Sequence, residues 1–327
     1  MARRWMAGGI VAAMTIGATA LDAQFPRPLS PQAEENNRVA PFFDGWYENA
    51  DGTTSFSFGY SNMNKETVEI PLGPDNIVTP KEYDGRQPTS FPVAAPATTP
   101  DGGGGGGAAG AGAATTGAQG GAAGGGQATG RGPRPNLNRH DRERGVFTIT
   151  VPRDFKGDVV WTLRHAGQTW SVPARSKSSA YQLSWPMAMG STPPLLRFEQ
   201  AGPSGRGPVG LRAADRRTRV GTPVDLTVWV SDDAAHEKEP VKVKREAVPA
   251  MNVTWLKHSG PIGAPITFAP PKEGLSELTG SSSANATFTQ PGEYVIRVKV
   301  DTFGRVDSAA GDQCCWTNGF VKVTVTP

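Results

Sequence analysis

The stretch Phe288-Thr-Gln-Pro-Gly-Glu-Tyr294-Val-Ile-Arg-Val-Lys-Val300 decides the fold class. Its Pro291-Gly292 pair is turn chemistry, and Tyr294, Ile296, Val298 and Val300 follow at every second position. A period of two places apolar side chains on one face of a β-strand. Working outward, Ala286 and Phe288 lead into the turn, and Val321, Val323 and Val325 repeat the pattern near the C-terminus. Upstream, Val224, Leu226, Val228 and Val230 alternate until Ser231-Asp232-Asp233, and Val253 with Trp255, then Ile266 with Phe268, mark further strands. Short alternating strands separated by turn residues predict a two-sheet sandwich over residues 207–327. A domain of that size buries roughly two-thirds of its unfolded surface, enough to be stable without a disulfide.

The N-terminal part carries the same signature. Phe42, Phe43, Trp46 and Tyr47 form an aromatic cluster, Asn49-Ala50-Asp51-Gly52 makes a turn, and Phe56, Phe58 and Tyr60 alternate with Ser55, Ser57 and Gly59. This predicts a hairpin with one buried face. Val68, Ile70 and Leu72 alternate before Pro74. After an interruption, strand patterns resume with Phe147, Ile149 and Val151, then Val159, Trp161 and Leu163, and His165-Ala166-Gly167-Gln168 turns the chain into Trp170 and Val172. The fold class is therefore all-β, with a β-domain over 41–200 and a sandwich over 207–327, joined by a Pro/Gly-rich connector.

The interruption, about 96–144, is centred on Gly102–Gly130, almost entirely Gly, Ala, Thr and Gln. Such a composition cannot bury enough surface to offset ordering entropy, so a disordered insertion is expected. Strands on both sides suggest that it forms one long loop of a single domain; two separate modules are the alternative. The arginines that follow (Arg131, Arg134, Arg139, Arg142, Arg144) stand against Asp141 and Glu143 and read as a solvated segment.

Residues 1–23 have the layout of a secretory signal peptide. Arg3 and Arg4 give a positive start, Met6–Ala20 is an apolar run too short to span a bilayer, and small residues stand at Ala20 and Ala23. Cleavage after Ala23 is expected, with Ala20 as the alternative, and residues 24–40 read as an extended lead-in. The chain is thus expected to be exported, to the periplasm or beyond. No later apolar stretch is long enough to cross a membrane. The net charge is +3, and losing Arg3, Arg4 and Asp22 lowers it by one. So even a balance implies no polyanionic partner, and no specific nucleic-acid binding is expected.

The run from Phe288 to Val300 resembles the corner between the fifth and sixth strands of bacterial Ig-like and PKD-like surface domains. On that resemblance Tyr294 is the tyrosine-corner residue and Trp255 the buried Trp of the third strand. The sequence departs from antibody-type domains at Ile296, where those domains carry the second cysteine of the inter-sheet disulfide. Domains of this kind bind, space or support, and the fold alone does not choose among these roles.

Cys314 and Cys315 are the two cysteines of the chain and are adjacent. A trans peptide sets their Cα atoms about 3.8 Å apart, below the usual disulfide span of about 4.4–6.8 Å. A strained vicinal disulfide, two thiols and an intermolecular bridge all stay open. The resemblance implies that the loop holding Asp312, Cys314, Cys315 and Trp316 lies at the same end as the loop holding Asp232 and Asp233. These six residues are the candidate binding site, with the Cys314-Cys315-Trp316 tip as contact surface. The carboxylates could serve a hard cation such as Ca²⁺, but the spacing matches no calcium-loop consensus, so no cofactor is expected. The four histidines (His140, His165, His236, His258) share no metal-ligand spacing, and no nucleophile motif occurs. The expected role is a non-enzymatic binding or scaffold protein of the cell envelope, an accessory subunit of an envelope complex among the options. Its partner would be an envelope protein or glycan. The alternative is an envelope enzyme acting on carbohydrate between the two β-domains.

Overall fold

Two sets of strands, one before residue 176 and one after residue 191, account for nearly all the regular structure. The computed structural model describes residues 38–93, 142–175, 181–183, 192–234, 249–302 and 315–327. The described residues all belong to the compact unit Asn37–Pro327. The expectations placed on the signal peptide, on most of the lead-in and the Gly-rich tract, and on Asp312 and Cys314 lie outside the described residues.

In the N-terminal region the strands are β1 (Val39–Glu48), β2 (Thr54–Asn62), β3 (Val68–Glu69), β4 (Asn76–Thr79), β5 (Ser90–Phe91), β6 (Glu143–Val151), β7 (Val159–His165) and β8 (Gln168–Ala174). They form a β1-β2-β6 sheet, a β4-β7-β8 sheet and a small β3-β5 pair. Strands from both sides of the Gly-rich tract therefore share the same sheets. The hairpin turns at the expected residues: Gly52 N–H donates to Asn49 O at 2.9 Å, and the Thr53 N–H is held by Asp51 Oδ1 at 2.9 Å. Phe56, Phe58, Tyr60, Phe147, Ile149, Trp161, Leu163 and Phe91 fill the core between the sheets. Trp161 is anchored inside it by donation from Nε1 to Asn76 Oδ1 at 3.0 Å.

The C-terminal region comprises β9 (Leu195–Arg197), β10 (Ser204–Arg206), β11 (Leu211–Arg212), β12 (Arg216–Arg219), β13 (Val224–Ser231), β14 (Met251–Ser259), β15 (Ile266–Ala269), β16 (Lys272–Leu275), β17 (Thr279–Phe288), β18 (Gly292–Asp301) and β19 (Trp316–Thr326). One sheet runs β10-β9-β13-β17-β15 and the other β11-β19-β18-β14-β16, with β12 also lying parallel to β19. Inward residues of both sheets, among them Val228, Val230, Trp255, Phe288, Ile296, Val298 and Val323, form one shared core. Tyr294 is fully buried, and its hydroxyl donates to Gln290 O at 2.8 Å. Residues 195–206, read from sequence as the end of the first domain and a connector, instead supply β9 and β10 to the second sandwich. Their apolar signal is too short to be seen alone: in β9 it is Leu195 and Leu196.

The hairpin has two buried faces where one was expected. Ser55 and Ser57 are as inaccessible as Phe56 and Phe58. Tyr181 and Leu183 lie over Gly45, the strand partner of Ser57, and help to close that face. Tyr47, beside it on β1, is hydrogen-bonded to the backbone of Val209. In β19, likewise, the first six residues are buried on both faces before alternation resumes.

Candidate functional site

The surface on which the two regions meet holds several of the buried polar groups among the described residues, and it begins with an irregularity in β1. The β1–β2 register breaks between Phe43 and Gly45, and the β2–β6 register breaks between Phe58 and Tyr60. Such bulges leave backbone groups without a ladder partner. Asp44 supplies one: its Oδ2 accepts the Gly145 N–H at 2.8 Å. Burial raises the Asp44 carboxyl to about 6, against the pull of Arg144, the Gly145 N–H and Arg142, while the charge of Glu143 adds to the rise. Gly145 itself sits at φ +56°. A Cβ there would stand 1.9 Å from Trp316 Nε1, so this position takes glycine both for its backbone and for its space. The Gly145 carbonyl accepts from the Asn318 side chain, which also donates to Pro208 O at 2.9 Å.

Charge crosses the same seam. Glu143, at the start of β6, accepts from the guanidinium of Arg297 and from Lys299 Nζ at 2.8 and 3.0 Å. Burial alone would push this carboxyl up, but Lys299 and Arg297 together hold it below its ordinary value. Some way along, Lys257 donates to Glu69, to Pro261 O at 2.8 Å and to Ala264 O at 2.9 Å. His258 Nε2 donates to Arg86 O at 3.0 Å, which leaves Nδ1 as the bare nitrogen of a neutral ring. Burial lowers this imidazole to about 3, against the hydrogen bond to Arg86, and the charges of Arg297 and Arg212 lower it further. Thr89 N–H donates to His258 O at 2.9 Å, carrying the backbone bonding across. Chemically, this is an array of buried ion pairs and hydrogen bonds that fixes one region on the other, although Asp44 Oδ1, Arg297 Nη1 and Asn318 Oδ1 have no hydrogen-bond partner among the described residues.

Of the six residues nominated from sequence as a binding site, Asp232, Asp233, Cys315 and Trp316 lie among the described residues. Trp316 is fully buried at the start of β19, paired with Asp301 and lying over Gly145, so it is not an exposed anchor. Its indole is too large an apolar surface to stay in water when a glycine-floored site is available. Cys315 is fully buried and disulfide-bonded. Asp232 is buried, its Oδ1 accepting the Ala234 N–H at 3.0 Å. Asp233 is held by Arg206 at 2.8 and 2.9 Å. Among the described residues no three His, Cys, Asp or Glu side chains are grouped as metal ligands. Trp255 and Tyr294 both lie in the sandwich core. Glu143, read as part of a solvated segment, belongs to β6 and is buried because Arg297 and Lys299 meet its charge. Sequence reading passed over Glu143, Gly145, Arg297 and Asn318. The available signal was the small polar row Ser55, Ser57, Gly59 opposite large aromatics, which leaves room for a second body to approach.

No family model matches the chain, and no curated protein matches it in sequence. Among solved structures, domains 4 and 5 of the S-layer protein SbsC are similar at 13% identity and a TM-score of 0.22, over 52% of this chain and 66% of theirs. A longer SbsC structure, rSbsC(31-844), is similar at 11% identity and a TM-score of 0.21, over 88% of this chain and 28% of its own. A protein of unknown function from Porphyromonas gingivalis W83 is similar at 8% identity and a TM-score of 0.21, over 88% of this chain and 99% of its own. The chain thus spans less than two-thirds of each of the two SbsC chains, and TM-scores this low carry no argument about fold or function.

Proposed function

We propose that this chain is an exported, non-enzymatic binding or scaffold protein of the cell envelope, presenting two β-regions as one rigid body to an envelope protein or glycan. The observation that carries the reading is the seam. Its buried charges, Glu143 with Arg297 and Lys299, and Glu69 with Lys257, are spent on holding the two regions together. A protein whose role is to space or support needs that fixity. The C-terminal region reads as Ig-like or PKD-like. Support comes from the parallel β12–β19 pair, the tyrosine hydroxyl bonded four residues upstream, and the buried Trp255. Trp316 and Cys315, being buried, act through the fold rather than as contacts. The carbohydrate-enzyme alternative placed its site between the two regions, where the described residues are packed on each other.

Export is tested by fractionating the native host and measuring the intact mass of the protein. The expected result is an envelope or extracellular protein beginning at Gln24. A full-length protein confined to the cytoplasm would overturn the reading.

A further inference from the structure

The seam is polarised. The carboxylates named above come from the N-terminal region, Glu69 of β3 and Glu143 of β6. The cations that meet them come from the C-terminal region, Lys257 of β14 and Arg297 and Lys299 of β18. None of the five side chains is more than 17% exposed. A proton neutralises a carboxylate, whereas lysine and arginine keep their charge in acid. Acid therefore silences one side of the seam and strands buried cations on the other, the costly way to break a buried pair. The two cores on either side are built from aliphatic and aromatic side chains and have little to titrate.

We propose that the seam is an acid-released joint: once Glu143 and Glu69 are neutralised, Lys257, Arg297 and Lys299 lose the negative charge that meets them across the seam and the two β-regions part while each core stays folded. Among the described residues the other ionisable neighbours of Glu143 are Tyr60 of β2, Asp44 of β1 and the flanking Arg142 and Arg144, and both Arg297 and Arg212 of β11 act on His258 of β14. Around Glu69 they are Lys257 and Tyr294 of β18. Of these, Asp44 takes up its proton at about 6, before Glu143, which is held below its ordinary value, and so is neutral when Glu143 loses its charge. His258, neutral at neutral pH, adds one more cation to the same side when it finally protonates. Because Arg297 and Lys299 hold Glu143 below its ordinary value, its contribution is complete above the unfolded value and is lost as pH falls through the folded one. Release therefore belongs to the acid range.

The test titrates the full-length mature protein from about pH 7 to about pH 2, following its maximum dimension by small-angle X-ray scattering and its strand content by far-UV circular dichroism. The expected result is an increase in dimension over a pH interval in which strand content is unchanged. Glu143→Gln should move that increase to higher pH. The charge-free triple variant Glu143→Leu/Arg297→Met/Lys299→Met should stay closed to lower pH than the wild type. Dimension and strand content changing together in the wild type, or no change before unfolding, would overturn the proposal. So would a triple variant that opens at the wild-type pH. If Glu143→Gln does not fold, the wild type and the triple variant decide.

Discussion

Gly145→Ala is the most direct probe of how the two regions fit. The glycine sits at φ +56°, a left-handed conformation that costs an L-residue about 1–2 kcal/mol. The added methyl would stand 1.9 Å from Trp316 Nε1 and 2.3 and 2.5 Å from two ring carbons. Trp316 has no exposed side to retreat to, and overpacking a closed site costs about 1–3 kcal/mol. The two effects sum to about 2–5 kcal/mol. Urea denaturation of the mature protein, followed by circular dichroism, measures the loss. A double-mutant cycle divides it: with Trp316→Ala already present the methyl has room, and Gly145→Ala should then cost only the backbone part, about 1–2 kcal/mol. Additive behaviour, with the same cost in both backgrounds, would refute the contact between β6 and β19 on which the seam is built.

Tyr294→Phe removes one hydroxyl donor and should cost about 1 kcal/mol, while Tyr294→Ala should cost about 3–5 kcal/mol, both read from denaturation midpoints. Asp44→Asn tests the sign of a titration. A carboxyl raised from 3.8 to about 6 binds its proton more tightly folded than unfolded, so its contribution to stability falls as pH rises through that window. The fall amounts to about 3 kcal/mol, and Asp44→Asn should remove it from the pH–stability curve. Cys315 is disulfide-bonded and the chain holds one other cysteine, so alkylation of the unfolded protein should add no mass until a reductant is present.

Much of the architecture was legible because a period of two is a local signal. Tyr294, Ile296, Val298 and Val300 announce β18 whatever packs on them, and the Asn49–Gly52 turn sets its own geometry. What one chain segment does to another was not legible. Trp316 next to two cysteines reads as a tip until β6 is seen to offer a glycine beneath it. Glu143 in a run of arginines reads as solvated until two cations from β18, more than 150 positions away, are seen to meet it. β9 is three residues long, and only its pairing with Val230 and its neighbours reveals it as part of the second sheet. Burial on both faces of a strand breaks the alternation by which strands are recognised, and it does so where regions meet.

The recruitment of residues 195–206 into the second sandwich also bears on how the chain assembles. A fragment beginning at residue 207 would leave the β9-facing edge of β13 with bare N–H and C=O groups, a template for pairing with another chain. It would also leave a hole where the fully buried Leu196 sits, a loss of about 2–5 kcal/mol by comparison with core truncations. The sandwich that looks autonomous in sequence therefore cannot be cut at the Pro/Gly-rich connector without becoming sticky. During synthesis, the strand that seals that edge leaves the ribosome ahead of the one it protects, so β13 never has to wait for its cover.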